Sequence, residues 1–267
     1  MMPAARPGER GFALVVVLWT LALLALLASV LLADARTEAK LTANRQADAV
    51  GLAVADAAIS ATMLDLLRAG NVPAGARRVG SAMVSVSLEN LSGRMNPNIV
   101  SVVMLNALLQ RLGVPQQAAE SLAAAIVDWR SPGLSPSKHG AKAAEYRAAG
   151  LPYGPPGRPF EHLDELGAVL GMTADVLAAL TPHLTLWSTT DPDPAFADAL
   201  VLDAMRLAGV PVVAAASTEA QVIAITAAAT LSDAPLVTRR AVVRFGYSPD
   251  GRGWRVLAWD DGEPGPR

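Results

Sequence analysis

The sequence predicts an α+β protein: a long N-terminal helix, membrane-embedded at its start, carrying an antiparallel sheet into which a large helical domain is inserted. Three patterns predict it. Residues 12–33 contain only Thr20 and Ser29 as polar members, an apolar seam at helical spacing follows, and period-two alternation flanks a block of short helices.

A chain of 267 residues and 27.6 kDa is long enough for a sizeable core. Hydrophobic residues make up 52%, charged residues 17%, and mean hydropathy is +0.34, which argues against a disordered or strongly charged chain. A net charge of -2 gives no bulk attraction to nucleic acid or to an anionic membrane. With no cysteine, a disulfide framework and a cysteine-ligated zinc are both excluded.

Residues 12–33 span about 33 Å as a helix at about 1.5 Å per residue, enough for a hydrocarbon core of about 30 Å. Arg6 and Arg10 precede the stretch while Arg36, Lys40 and Arg45 follow it, so the positive-inside count does not fix its orientation. Three readings of this segment stand side by side. A cleaved secretory signal would use Ala33, Asp34 and Ala35, but its apolar core should be only about 7–15 residues long. A plain single-pass anchor explains the length. A prepilin-type signal, cut after a glycine on the near side of the apolar run, explains the junction of Arg10, Gly11 and Phe12 as well.

The helical pattern then continues. Ala43, Ala47, Val50, Val54, Ala57, Ala61 and Leu64 alternate spacings of four and three, and no proline interrupts residues 12–72. The expectation is one helix over residues 12–68 whose seam packs on the chain's own head rather than in an intermolecular coiled coil. Gly51 is its weak point, at about 1 kcal/mol relative to alanine.

After a turn-rich break at residues 70–75, Ala82, Val84, Val86 and Leu88 alternate with Met83, Ser85, Ser87 and Glu89, the period of a half-buried strand. Leu105, Leu108, Leu109 and Leu112 share a helix face, and Gly113 and Pro115 end that helix. A second helix places Leu122, Ile126 and Trp129 on one side. Residues 131–159, rich in proline, glycine and serine, predict a long loop with one helical turn at 141–148. A further pair of short helices spans residues 161–170 and 174–180, with Thr173 as N-cap. One more short helix follows Trp187, and strands at 221–231, 239–247 and 253–259 finish the chain.

No catalytic constellation is visible. His139, His162 and His183 are scattered, and there is no nucleophile elbow, phosphate-binding glycine loop or paired-histidine zinc motif. Asp191 with Asp193, and Asp260 with Asp261, offer carboxylate oxygens that could contribute to a calcium site, but neither pair has the spacing of a calcium loop, and a solvated acidic turn is the favoured reading. The second helix pair is flanked by Glu161, Asp164, Glu165 and Asp175, which repel phosphate, so nucleic acid is not an expected partner.

Assembled in this order, the residues resemble the protein K family of the general (type II) secretion pathway, a family of minor pseudopilins. The resemblance is carried by the Gly11–Phe12 junction with Val15, Val16, Val17, Leu18 and Trp19, and by the run from Leu91 through Gly93, Asn96 and Asn98. Asp128 with Trp129, then Asp164, Glu165 and Leu166 followed by Gly171, complete it. It implies a leader at 1–11, a pilin-like head at 69–94 and 188–267, and an inserted tandem helix-hairpin-helix (SAM-like) domain at 95–187. It further implies cleavage by prepilin peptidase, methylation of the new amine, an inner-membrane anchor with the C-terminal domain in the periplasm, and a place at the pseudopilus tip. There the chain would help start assembly for export of folded proteins across the outer membrane. Its implied partners are minor pseudopilins I and J and the inner-membrane secretion platform. Calcium is implied as a ligand with no positions assigned, and no catalysis is implied. A bitopic periplasmic binding domain outside any fibre is the alternative.

Most pilins carry glutamate where this chain has Val16. A carboxylate near the bilayer centre costs about 2.5–3.5 kcal/mol, so it persists only with a partner. In a pilus that partner is the N-terminal amine of a subunit nearer the tip, which a tip subunit lacks.

Overall fold

The computed structural model describes residues 9–69, 75–80, 82–212, 221–230, 236–246 and 253–261. The leader before Glu9, the break at 70–74 and the connection between the last two expected strands, at 247–252, lie outside the described residues.

Helix α1, Glu9–Ala69, runs 61 residues without a break. Its part Leu14–Leu32 has a mean hydropathy of 2.8 and no buried residue, as a lipid-facing helix requires. Its part Lys40–Arg68 is also apolar, at 1.7, but one third of it is buried against the head.

The face of α1 that meets the head is not the one the spacing predicts. Ala43, Val50, Ala57, Ala61 and Leu64 are exposed, and Ala47 and Val54 only half-buried. The sheet instead takes the neighbouring stripe of Gly51, Ala55, Ala58, Ile59, Thr62 and Met63. In so alanine-rich a helix several faces are equally apolar, and the sheet selects the one whose Ile59 and Met63 are long enough to fill the gaps between strands. Thr62 satisfies its hydroxyl within the helix, donating to the Ala58 carbonyl at 2.8 Å.

Strands β1 (Gly75–Val79), β2 (Ala82–Asn90), β3 (Gln221–Thr230), β4 (Val237–Phe245) and β5 (Trp254–Asp261) form one sheet in chain order, every neighbouring pair antiparallel. β1 was not expected. Its sequence has no alternation and carries Arg77 and Arg78, which suit an exposed edge strand rather than an interior one. β2 buries Ala82, Val84 and Val86 on alternate positions, as predicted. One face of the sheet packs on α1 through Val84, Val86, Ile225, Ala227 and Val243, while Val222, Ala224 and Val242 on the other face meet Leu91 and Trp187.

Between β2 and β3 the chain leaves the sheet and returns to the adjacent strand, Asn90 pairing with Ile223. The excursion builds α2 (Val102–Arg111), α3 (Gln116–Arg130), α4 (Ala143–Ala148), a 3-10 turn at Leu163–Ala168, α5 (Ala174–Leu180) and α6 (Ala199–Leu207) around their own core of Leu105, Leu108, Ile126, Tyr146, Leu166 and Leu180. Two expectations change here. The helix expected at 161–170 is only a 3-10 turn, its chain leaving helical geometry at Val169. And α6, expected within the head segment 188–267, belongs to the helical body: Val201, Ala204 and Met205 are buried in that body's core, because its apolar face matches α2 and not the sheet.

Candidate functional site

The sequence-singled residues form two separate groups. Gly11, Phe12 and Val16 lie on the membrane part of α1, where Phe12 and Val16 are exposed and Val16 offers no carboxylate. The others converge on the joint between sheet and helical body and on that body's interior.

At the joint, Leu91 donates its N–H to the Val222 carbonyl at 2.7 Å, and the Ser92 hydroxyl accepts the Val222 N–H at 2.9 Å. Gly93 follows at a point of close approach. A Cβ there would stand 2.2 Å from the Phe196 carbonyl carbon and oxygen, so no side chain fits without moving backbone. Met95 then pairs with the returning chain, its N–H on the His183 carbonyl at 3.0 Å and its carbonyl taking the Thr185 N–H at 2.8 Å. Asn96 is buried and locks this crossing: Nδ2 donates to the carbonyls of Leu186, 3.2 Å, and Ser188, 2.6 Å, while Oδ1 accepts the Asn98 N–H at 2.8 Å. Asn98 forms a reciprocal pair with Phe160, its Nδ2 on the Phe160 carbonyl at 2.9 Å and its Oδ1 taking the Phe160 N–H at 2.7 Å.

At the end of α3, Trp129 stacks on Phe160 with ring centres 6.0 Å apart and lies 6.2 Å from Tyr146. The Asp128 carboxylate is buried and accepts the Ser137 N–H at 2.9 Å. Glu165 closes the 3-10 turn by accepting the amides of Glu161, 2.8 Å, and His162, 3.0 Å. Partial burial pushes its carboxyl up, but those two amides and the Arg158 guanidinium outweigh the burial and hold it below the usual carboxylate range. Leu166 is fully buried beside it, and Gly171 turns the chain at φ 89, a conformation that favours glycine. Asp164 alone points outward, on the rim of a cleft of about 680 Å³ between the helical body and the outer sheet face.

Several structural residues escaped sequence reasoning. Lys142 is almost completely buried, with its ammonium on the carbonyls of Asp128 and Ser131, the latter at 2.6 Å. Arg130 holds the Val100 carbonyl at 2.8 Å, and the Tyr146 hydroxyl accepts the Leu170 N–H at 2.9 Å. One signal existed: Lys142 is one of just three lysines in a chain whose other basic residues are arginines and histidines. An ammonium is compact enough for a two-carbonyl cage that a guanidinium would overfill.

Among the described residues no three histidine, aspartate or glutamate side chains gather as a metal site. Asp193 caps the Ala195 N–H at 2.9 Å, and Asp261 is taken by Arg239 at 2.5 Å. What this network of amides, ring stacks and buried caps does is fix one rigid body at one angle on a sheet.

Residues 86–189 match the family model of the type II secretion system (T2SS), protein K. In solved structures the chain is similar to one from the GspK-GspI-GspJ complex of the type 2 secretion system of enterotoxigenic Escherichia coli. The two are 17% identical, with 86% of this chain and 100% of that one covered, at a TM-score of 0.62. At that identity the likeness speaks for the fold. No curated protein matches the chain by sequence.

Proposed function

We propose that this chain, whose residues 86–189 match the family model of type II secretion system protein K, is a member of that family, caps the tip of a pseudopilus and helps start its assembly for export of folded proteins across the outer membrane. The observation that carries the reading is the combination of that family segment with a 19-residue, wholly exposed apolar span on the same helix that supports the sheet. The span anchors the chain in the inner membrane, with sheet and helical body in the periplasm. Minor pseudopilins I and J are its partners, as they are in the complex to which the fold is similar. The inner-membrane secretion platform and prepilin peptidase are the others.

Physical reasons support a terminal position. The helical body inserted between Asn90 and Gln221 makes the head far broader than a sheet on a helix, and subunits stacked along their N-terminal helices leave each head little lateral room. Val16 lacks the carboxylate that would seek an amine above it. The motif residues Gly93, Asn96, Asn98, Asp128, Trp129, Glu165, Leu166 and Gly171 serve to hold the broad head in shape, and the role is structural rather than catalytic.

Intact-mass analysis of the membrane-extracted protein tests the reading. Cleavage after Gly11 with a methylated Phe12 amine is expected, and Gly11→Val should leave the leader attached while insertion proceeds. Cleavage after Ala35, or none, points instead to a periplasmic domain outside any fibre. Val16→Glu should bring no gain in secretion.

A further inference from the structure

Residues 184–197 form the strip of chain that ties the helical body to the sheet. The strip leaves the body at His183, crosses the outer sheet face and returns at Asp198, where α6 begins. It has no helix or strand of its own, only a bridge between Leu184 and Met95. Single contacts hold it instead. Asn96 donates to the carbonyls of Leu186 and Ser188, the Arg244 guanidinium of β4 donates to the Trp187 carbonyl at 2.9 Å, and the Asp193 N–H donates to the Ser92 carbonyl at 2.8 Å. Trp187 packs on Leu91, Val222 and Val242.

The two ends of this strip are joined to each other. His183 Nδ1 stands 2.7 Å from Asp198 Oδ2, across 15 residues of sequence, which closes the strip into a ring. The other oxygen of the same carboxylate accepts the amides of Leu200 at 2.9 Å and Val201 at 3.1 Å. One carboxylate therefore ends the strip and starts α6. The His183 side chain is only 15% exposed, which shields the contact from solvent more than in an ordinary surface pair.

Imidazole is the side chain whose charge changes between about pH 5 and pH 8. A neutral ring reaches Asp198 only as the tautomer with its proton on Nδ1, whereas the imidazolium always presents a donor there and adds an opposite charge. The charged groups on the surrounding elements do not compete for either partner. Arg206 of α6 is taken by Asp203 at 2.6 Å, Arg94 at the joint and Arg240 of β4 by Glu89, and the Asp193 carboxylate by the Ala195 N–H. Asp164, Asp175, Asp191 and Asp260 are exposed carboxylates, and among the described residues His183 is the only basic side chain in ion-pair contact with Asp198.

We propose that the His183–Asp198 pair is a pH-sensitive clasp on the joint: protonation of His183 tightens the ring 183–198 and fixes the helical body at one angle on the sheet, and loss of that proton slackens the strip and lets the body swing. The strip has no ladder of backbone bonds to hold it when the clasp weakens, so a change at one pair reaches the whole joint. At much lower pH, below the ordinary aspartate value of about 3.9, the carboxylate takes a proton as well and the clasp opens again. The device depends on the fold alone, not on the place of the chain in a fibre.

The test uses the full chain in detergent micelles at about pH 5.5 and about pH 7.5, near the two ends of the imidazole range. Hydrogen exchange of residues 184–197, corrected for the intrinsic pH dependence of exchange, should be slower at the lower pH by roughly two- to fivefold, the size of a partly exposed ion pair. Strands β2 to β4 should show no such change. His183→Gln keeps a donor that does not titrate, and Asp198→Asn keeps the cap of α6 without the charge; each should abolish the pH dependence while the fold is retained. The chain has no cysteine, so spin labels at Ser85→Cys on β2 and Gln117→Cys on α3 report the joint alone, and their distance distribution should be narrower at the lower pH. Equal protection at both pH values overturns the proposal, as does a pH dependence that survives His183→Gln. A distance distribution that ignores pH refutes the claim that the clasp sets the angle of the body.

Discussion

The sheet head and the helical body divide the work of folding differently. The head is repetitive: five antiparallel strands in chain order, a ladder of backbone bonds, and a core of alanines and valines against α1. The helical body is specific, with Trp129, Tyr146 and Phe160 packed together and asparagine, aspartate, lysine and arginine side chains terminating its irregular backbone. Ladders share load over many equivalent bonds, whereas a buried cap has no substitute. Irregular structure that is to be rigid therefore concentrates its stability in few residues.

The largest expected effect is Trp129→Ala, which removes the central ring of the aromatic cluster and should destabilise the helical body by about 3–5 kcal/mol. Hydrogen exchange resolved by segment should show α2 to α4 losing protection while β2 to β4 keep theirs. Equal loss in both regions would mean that they fold as one cooperative unit.

Asn96→Ala comes next, at about 2–3 kcal/mol, because the carbonyls of Leu186 and Ser188 lose their donor in a buried site. Denaturant unfolding should reveal it. In the head, Val84→Ala should cost about 2 kcal/mol from lost apolar contact and the space left behind, with the ladder intact.

Asp198 sharpens the comparison through pH. Burial pushes its carboxyl up, but the His183 ring at 2.7 Å and the amides of Val201 and Leu200 at the start of α6 outweigh this and hold it below the usual range. Its contribution is therefore present above the ordinary aspartate value of about 3.9 and is lost as pH falls through the lower folded value. The side chain is 45% exposed, so the size is that of an N-cap. Asp198→Ala should cost about 1 kcal/mol at pH 7, and the difference from wild type should shrink in thermal melts below about pH 4.

The smallest effect belongs to Arg239, which ties β4 to α1 through Asp56 at 3.0 Å and to Asp261 on β5. Asp56 also takes the Trp259 indole N–H at 2.9 Å, so it keeps a partner when the arginine is removed. Arg239→Ala should cost below about 1 kcal/mol and fade further in high salt.

Regular periodicity was legible and edges were not. The alternation in β2 and the apolar faces of α2 and α3 were readable because burial on one side imposes a period. β1 was missed because an edge strand of five residues has neither face fully buried. Gly93 and Asn96 were singled out by family resemblance, and Trp129 by that resemblance and by its place on the apolar face of α3. Their roles emerge only where the chain crosses itself, Gly93 against Phe196 and Asn96 against Ser188. Lys142 acts on carbonyls 11 and 14 residues away, beyond the reach of any local pattern.

By itself the sequence determined the α+β class, the long helix with its membrane-length span, and the interruption of the sheet by short helices, because hydropathy and its period are local properties of the chain. Tertiary structure decided which face of α1 meets the head, which body α6 joins, and that a loop rich in proline and glycine is braced rather than slack. Those outcomes depend on which distant partner offers the better fit: Ile59 and Met63 to the sheet, Val201 and Met205 to α2, and Lys142 to the end of α3. A sequence lists the candidates for each contact, and only packing in three dimensions excludes all but one.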